Sequence, residues 1–199
     1  MILDFHVLVF MLSTVIVLLT PGPTNTLLAA AGLGQGLWKA LPLIAFELVG
    51  YLIAISGWGI FLTSIEQYYP WLSNVVRVAC SCYLLFVAVK IWISTGKLPI
   101  SEEGSIGPAT VFMTTMLNPK GLLFASTIFP PHAFDNVQIY LAATVLFMCV
   151  VVPIGVAWVA LGAVVGNGRM MAMDPFKLQR TVALVIGIFS MTIVWTTVH

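Results

Sequence analysis

From Val137 to Val165 the chain runs without a single charged side chain. Roughly 20 apolar residues suffice for a helix to cross a bilayer, and this stretch is longer. Further apolar segments run from about Phe5 to Ala31, Leu41 to Thr63, Val75 to Ile93, Ala109 to Phe129, and Leu178 to Val198. A transmembrane barrel needs alternating polarity in runs of about ten residues. These segments are apolar all round, so the sequence predicts an all-α integral membrane protein with six transmembrane helices.

Composition closes the other routes. Of 199 residues, 60% are hydrophobic and 8% are charged, against roughly 25% charged in an ordinary soluble domain. Such a chain cannot clothe a water-facing surface, which excludes a soluble enzyme and a disordered protein. A net charge of +1 supplies no basic patch for nucleic acid. Cys80, Cys82 and Cys149 lie inside apolar runs, and a C-x-C without a second pair gives neither a metal site nor a disulfide framework. They read as small buried apolar residues. His6, His132 and His199 stand near segment ends without ligand spacing, so no metal and no cofactor is expected. The first residues, Met1 to His6, carry no Lys or Arg, which reads as a retained span and not as a signal peptide.

The basic residues orient the spans. Lys39, Lys90, Lys97, Arg169, Lys177 and Arg180 all fall by the connectors 1–2, 3–4 and 5–6, whereas the opposite side has Arg77 near a span end. The positive-inside rule then puts those connectors in the cytoplasm and both termini outside. Trp38 and Trp92 on the inner side, with Tyr68, Tyr69, Trp71, Tyr140 and Trp195 on the outer, suit the two interfaces. Residues 1–199 form one transporter-like domain of two three-helix halves, about 1–97 and 98–199. Their odd span number makes them an inverted pair.

Two places interrupt the spans. The first carries Thr20-Pro21-Gly22-Pro23-Thr24-Asn25, where the prolines remove two helical N–H groups and the glycine loosens the backbone between them. A single proline is commonly only a kink. Pro-Gly-Pro between Thr and Asn predicts a real break, which frees polar groups that need partners. The fourth span carries Asn118-Pro119-Lys120-Gly121, in which Asn is an N-cap and Pro the first residue of a restarted helix. Lys120 either snorkels to the cytoplasmic surface or belongs to an interior site. In the second span Glu47 is either a protonated structural residue or a functional one. At about 1.5 Å per residue, Glu47 and the restart near Pro23 both lie roughly 12 Å from the inner edge, and Asn118 about 15 Å. Shared depth makes one polar site of them.

Other features carry less. Gly32-Leu33-Gly34-Gln35-Gly36 has the wrong spacing for a dinucleotide fingerprint and reads as a connector. Gly162 and Gly166 form a small-xxx-small pair suited to helix packing within the chain or against a second protomer. Pro153 is a hinge or a kink.

Thr20-Pro21-Gly22-Pro23 near the end of the first span, followed by a glycine-rich connector, resembles the signature of the LysE/RhtB family of amino-acid exporters. Asn118-Pro119-Lys120-Gly121, with Phe124 and Pro130 downstream, is similar to that family's second motif. The similarity covers nearly the whole chain, including its length and six-span layout. Many members have Asn or Asp directly after the P-G-P, whereas Thr24 here precedes Asn25, and Glu47 stands where many have small or apolar residues. The resemblance implies export of amino acids from the cytoplasm, driven by the proton gradient, by a homodimer in the lipid bilayer of the bacterial inner membrane.

The residues support that expectation. Two half-helix N-termini, at Pro21–Asn25 and Pro119–Gly121, offer free N–H groups and a positive dipole end to a carboxylate. Lys120 adds a full charge. Glu47 is free to pair with a substrate ammonium, with Lys120 or with a transported proton. A divalent-cation exporter of related fold is the alternative, but it would want several oxygen or sulfur ligands. An intramembrane enzyme would need a nucleophile and base or metal ligands at depth, and no His lies mid-span. The expectation is a transporter and not an enzyme, without catalytic residues.

Overall fold

The computed structural model describes residues 2–93, 106–130 and 132–166, together with 180, 184, 187, 188, 190–192, 194 and 195. The chain forms α1 (Ile2–Leu19), α2 (Pro23–Gln35), α3 (Leu37–Ala40), α4 (Leu43–Glu66), α5 (Pro70–Ile93), α6 (Pro108–Met116), α7 (Pro119–Leu123), a π-helical turn (Phe124–Ile128) and α8 (Val137–Gly166). No strand occurs among the described residues. Two helical stretches, Leu37–Glu66 and Val137–Val165, are long and apolar enough to cross a membrane. The pair His6–Leu19 and Pro23–Gln35 makes a third, bent by 62° at its break. Lys97, Arg169, Lys177, the boundary between the two halves and most of the sixth expected span lie outside the described residues.

Apolar surface alone does not drive helices together in lipid, where tails are as apolar as side chains, so close packing between small residues does that work. The tightest seam runs between α2 and α8. A Cβ on Gly32 would overlap the carbonyl of Val159, and one on Gly162 would overlap that of Ala29. This corrects the reading of Gly32 to Gly36 as a connector. α2 continues through Gln35 and only Gly36, at φ 78°, takes the left-handed turn. Gly162 serves packing inside the chain. Gly50 brings α4 onto α6, where a Cβ would sit 2.9 Å from Thr115 Cβ, and Gly121 brings α7 onto α4, 2.8 Å from Ala54 Cβ.

Two apolar clusters fill the interior. The larger holds Phe10, Tyr51, Phe124, Phe129 and Phe147 with aliphatic neighbours from α1, α4, α5 and α8. Tyr51, Phe124 and Phe147 meet edge to face, with centroids 5.0–5.8 Å apart. The smaller cluster, around Leu28, Ala31, Leu43, Ile44, Val111 and Val159, is aliphatic. The half-buried Tyr140, in the first turn of α8, has its hydroxyl 2.7 Å from Ser56 Oγ and packs its ring on Phe129 and Phe134. Of the cysteines only Cys80 is buried, while Cys82 and Cys149 are exposed on the outer helix faces. An apolar groove of about 290 Å³ between α5 and the last segment, lined by Leu85, Trp92, Leu184 and Met191 among others, contains almost no polar surface.

Candidate functional site

The break between α1 and α2 strands carbonyls, because Pro21 and Pro23 have no N–H to give. The bend also separates the carbonyls of Leu18 and Thr20 from their helical donors, and Asn25 serves these two. Its Nδ2 donates to Leu18 O at 2.6 Å and to Thr20 O at 2.9 Å. Lys120 Nζ, arriving from α7, donates to the same Thr20 carbonyl at 2.6 Å. Gly22 makes room for it: a Cβ there would lie 3.2 Å from Lys120 Cε and 3.3 Å from Nζ. Gly22 is also the N-cap of α2, in extended conformation and without a side-chain cap. Among the described residues, the backbone N–H groups of Thr24 and Asn25 have no hydrogen-bond partner, so α2 presents the open positive end of a helix to the break.

The second break is closed differently. Asn118 Oδ1 accepts from Lys120 N at 3.0 Å, which caps α7, and Gly121 N donates back to Asn118 O at 2.9 Å. Asn118 Nδ2 reaches across to Thr24 Oγ1 at 3.1 Å. The Thr115 hydroxyl donates to Val111 O at 2.8 Å and also points to Thr24 Oγ1 at 3.2 Å. After the five residues of α7 the chain widens into the π-turn, marked by Phe129 N donating to Phe124 O at 2.9 Å. The expectation of free N–H groups at both half-helix N-termini is therefore corrected at the second, where Asn118 acts as the expected N-cap. The one at Pro119–Gly121 is already occupied by its own cap, and only the one at α2 is open.

Glu47 completes the layer from α4. It is 1% exposed, and Lys120 is 3% exposed, so Lys120 does not snorkel. Glu47 Oε2 has no hydrogen-bond partner, and a Cβ on Gly155 of α8 would stand 2.9 Å from it. One helical turn on, the fully buried Tyr51 hydroxyl lies beside Thr24 and Glu47 but makes no hydrogen bond. Among the described residues no ion pair joins Glu47 to Lys120. The two side chains are neighbours in the layer without touching.

The structure thus brings Thr20, Gly22, Thr24, Asn25, Asn118 and Lys120 into direct contact, with Pro21, Pro23 and Pro119 shaping the backbone around them. Glu47 faces the group from one side. Thr115, Tyr51 and Gly155 are additions that the sequence reading lacked. Tyr51 stands four residues after Glu47, a spacing that puts both on one helix face, and Thr115 lies in the last turn of α6, where its carbonyl accepts from Asn118 N at 3.1 Å.

Taken together, helices able to cross a bilayer around a buried layer that holds Glu47 and Lys120 define a helical membrane protein with a polar interior. The sequence matches the family model of the LysE type translocator over residues 15–195, and the chain belongs to that family. No curated protein and no solved structure matches it. Membership in a translocator family is consistent with a protein that moves its substrate without transforming it.

Proposed function

We propose that this protein is a secondary active transporter that exports amino acids or close derivatives from the cytoplasm, coupled to proton influx. In this reading it sits in a bacterial inner membrane with both termini outside, as two inverted halves, and works as a homodimer. One observation carries the proposal. A single buried layer holds a cation and an open helix N-terminus at one end and a carboxylate oxygen without a partner at the other. A zwitterion has one group for each. The substrate carboxylate competes with the Thr20 carbonyl for Lys120 and takes the free N–H groups of Thr24 and Asn25. The ammonium is received by Glu47, with the Tyr51 hydroxyl alongside.

The two apolar clusters act as gates on either side of this layer, aromatic towards the outside and aliphatic towards the cytoplasm. Substrate leaves outward and Glu47 then takes a proton, which removes its charge for the return. A divalent-cation exporter is the weaker reading. An ammonium in the same layer repels such a cargo, and the described residues contain no group of three His, Cys, Asp or Glu able to hold a metal. The test is efflux of mixed amino acids from liposomes holding the purified protein, with and without an imposed pH gradient. The parent should release amino acids faster with the gradient. Glu47→Gln should lose that dependence while keeping exchange between equal pools. Gradient-independent efflux by the parent, or a normal gradient response by E47Q, would sink the coupling.

A further inference from the structure

One cation in the apolar interior has no part in that cycle. Arg77 was placed near a span end by the sequence, but α5 begins at Pro70, so the residue lies about 10 Å inside the helix. It shares a face with Cys80, Leu84 and Ala88, all buried, and so points into the bundle and away from lipid. Its Nε donates to Ser126 O in the π-turn at 2.8 Å. The sequence explains why that carbonyl needs an outside donor. Its helical partners would be the residues four and five further on, Pro130 and Pro131, and neither has an N–H. This contact uses one of five guanidinium donors. The four on the Nη atoms have no partner among the described residues. No carboxylate there lies within ion-pair distance, and Asp135 at the same end is 3.7 Å from His132.

A guanidinium inside a span without a counter-charge calls for an anion. Ser126 lies six residues beyond Lys120 on one continuous segment, which puts the second cation roughly 9 Å further along. The hydroxyls of Ser126 and Thr127, 3.2 Å apart, sit at the same turn. We infer that Arg77, anchored through Nε to the Ser126 carbonyl, is a second carboxylate site on the extracytoplasmic side of Lys120, where the exported amino acid is held before release. Its two Nη atoms meet the carboxylate end-on in a bidentate pair. The inference rests on the transport reading above.

Pro130→Ala gives the Ser126 carbonyl an N–H of its own, so the double variant R77Q/P130A separates the anchoring role from the binding role. The measurement is exchange of an equimolar mixture of the twenty proteinogenic amino acids in right-side-out and inside-out membrane vesicles. The expected result is a half-saturating concentration raised at least tenfold from the extracytoplasmic face and changed less than twofold from the cytoplasmic face. Unchanged values on both faces make Arg77 a backbone anchor only, and equal losses on both faces make it a structural support. Either overturns the proposal. If the double variant does not fold, R77K decides: a single ammonium keeps the Ser126 bond and loses the fork, so the one-sided rise should persist, and its absence overturns the proposal. Normal exchange combined with lost binding of phosphatidylglycerol in native mass spectrometry assigns the site to a lipid phosphate and also overturns it. A parent inert towards every amino acid sinks the transport reading as well, whereas a transporting parent with an unaffected double variant sinks this inference alone.

Discussion

The two helix breaks look alike in sequence, each built on proline with an Asn close by, and they are finished in opposite ways. At the first, Asn25 donates backwards to the carbonyls of Leu18 and Thr20 and leaves the N–H groups ahead of it open. At the second, Asn118 accepts from Lys120 N and closes the new helix start. An asparagine has both a donor and an acceptor end, and each break uses a different one as its main support. The result is a division of labour. In the proposed transport cycle the first break receives an anion, and the second is the mount that carries Lys120 into the first.

That comparison is broken most directly at Pro21 and Pro23. Replacing both with Ala restores the helical N–H groups, so the double variant should fold while efflux from liposomes drops to the protein-free background. Undiminished efflux would make the first break a kink without function. Lys120→Met tests whether the second break serves the first. It should reduce amino-acid efflux by at least a hundredfold and leave α7 capped, with helix content unchanged by circular dichroism. Retained transport would move the substrate carboxylate elsewhere. Asn25→Ala leaves the buried Leu18 carbonyl without a donor and the Thr20 carbonyl with Lys120 alone, and should cost about 1–3 kcal/mol, read as a lower thermal midpoint in detergent. Asn118→Ala removes a helix cap and should cost about 1 kcal/mol, with an Asp at the position restoring the cap. If N118A destabilises more than N25A, the assignment of receptor and mount is reversed.

Much of this site was legible because proline and charge declare themselves within a single residue. A missing N–H is a property of Pro21, Pro23 and Pro119 wherever they sit, and Glu47 or Lys120 in an apolar run needs a reason. What the sequence hid depends on approach between helices. Thr115 and Tyr51 are unremarkable residues for a membrane helix until Thr24 arrives beside them. Glycine hid more, because its two uses look the same on paper. Gly36 supplies a backbone angle and ends a helix, whereas Gly32, four residues earlier, supplies only the absence of a Cβ inside one. The start of α5 was set too late because Ser73 and Asn74 dilute its first turns, and Pro70 as a first helical residue went uncredited. That error moved Arg77 from the interior to an edge.

The seam between α2 and α8 has a consequence for anyone who maps this protein by mutation. At Gly32 and Gly162 even a methyl group would occupy the place of a backbone atom on the facing helix, so alanine is as unwelcome there as tryptophan. A saturation library scored on growth would show both positions as strictly intolerant, indistinguishable from Lys120. Neither touches the polar layer. Intolerance that begins at alanine marks a steric contact. At Lys120, by contrast, the ranking of replacements should follow charge and reach. The order in which substitutions fail, and not the number that fail, is what would tell the mapmaker which positions handle cargo.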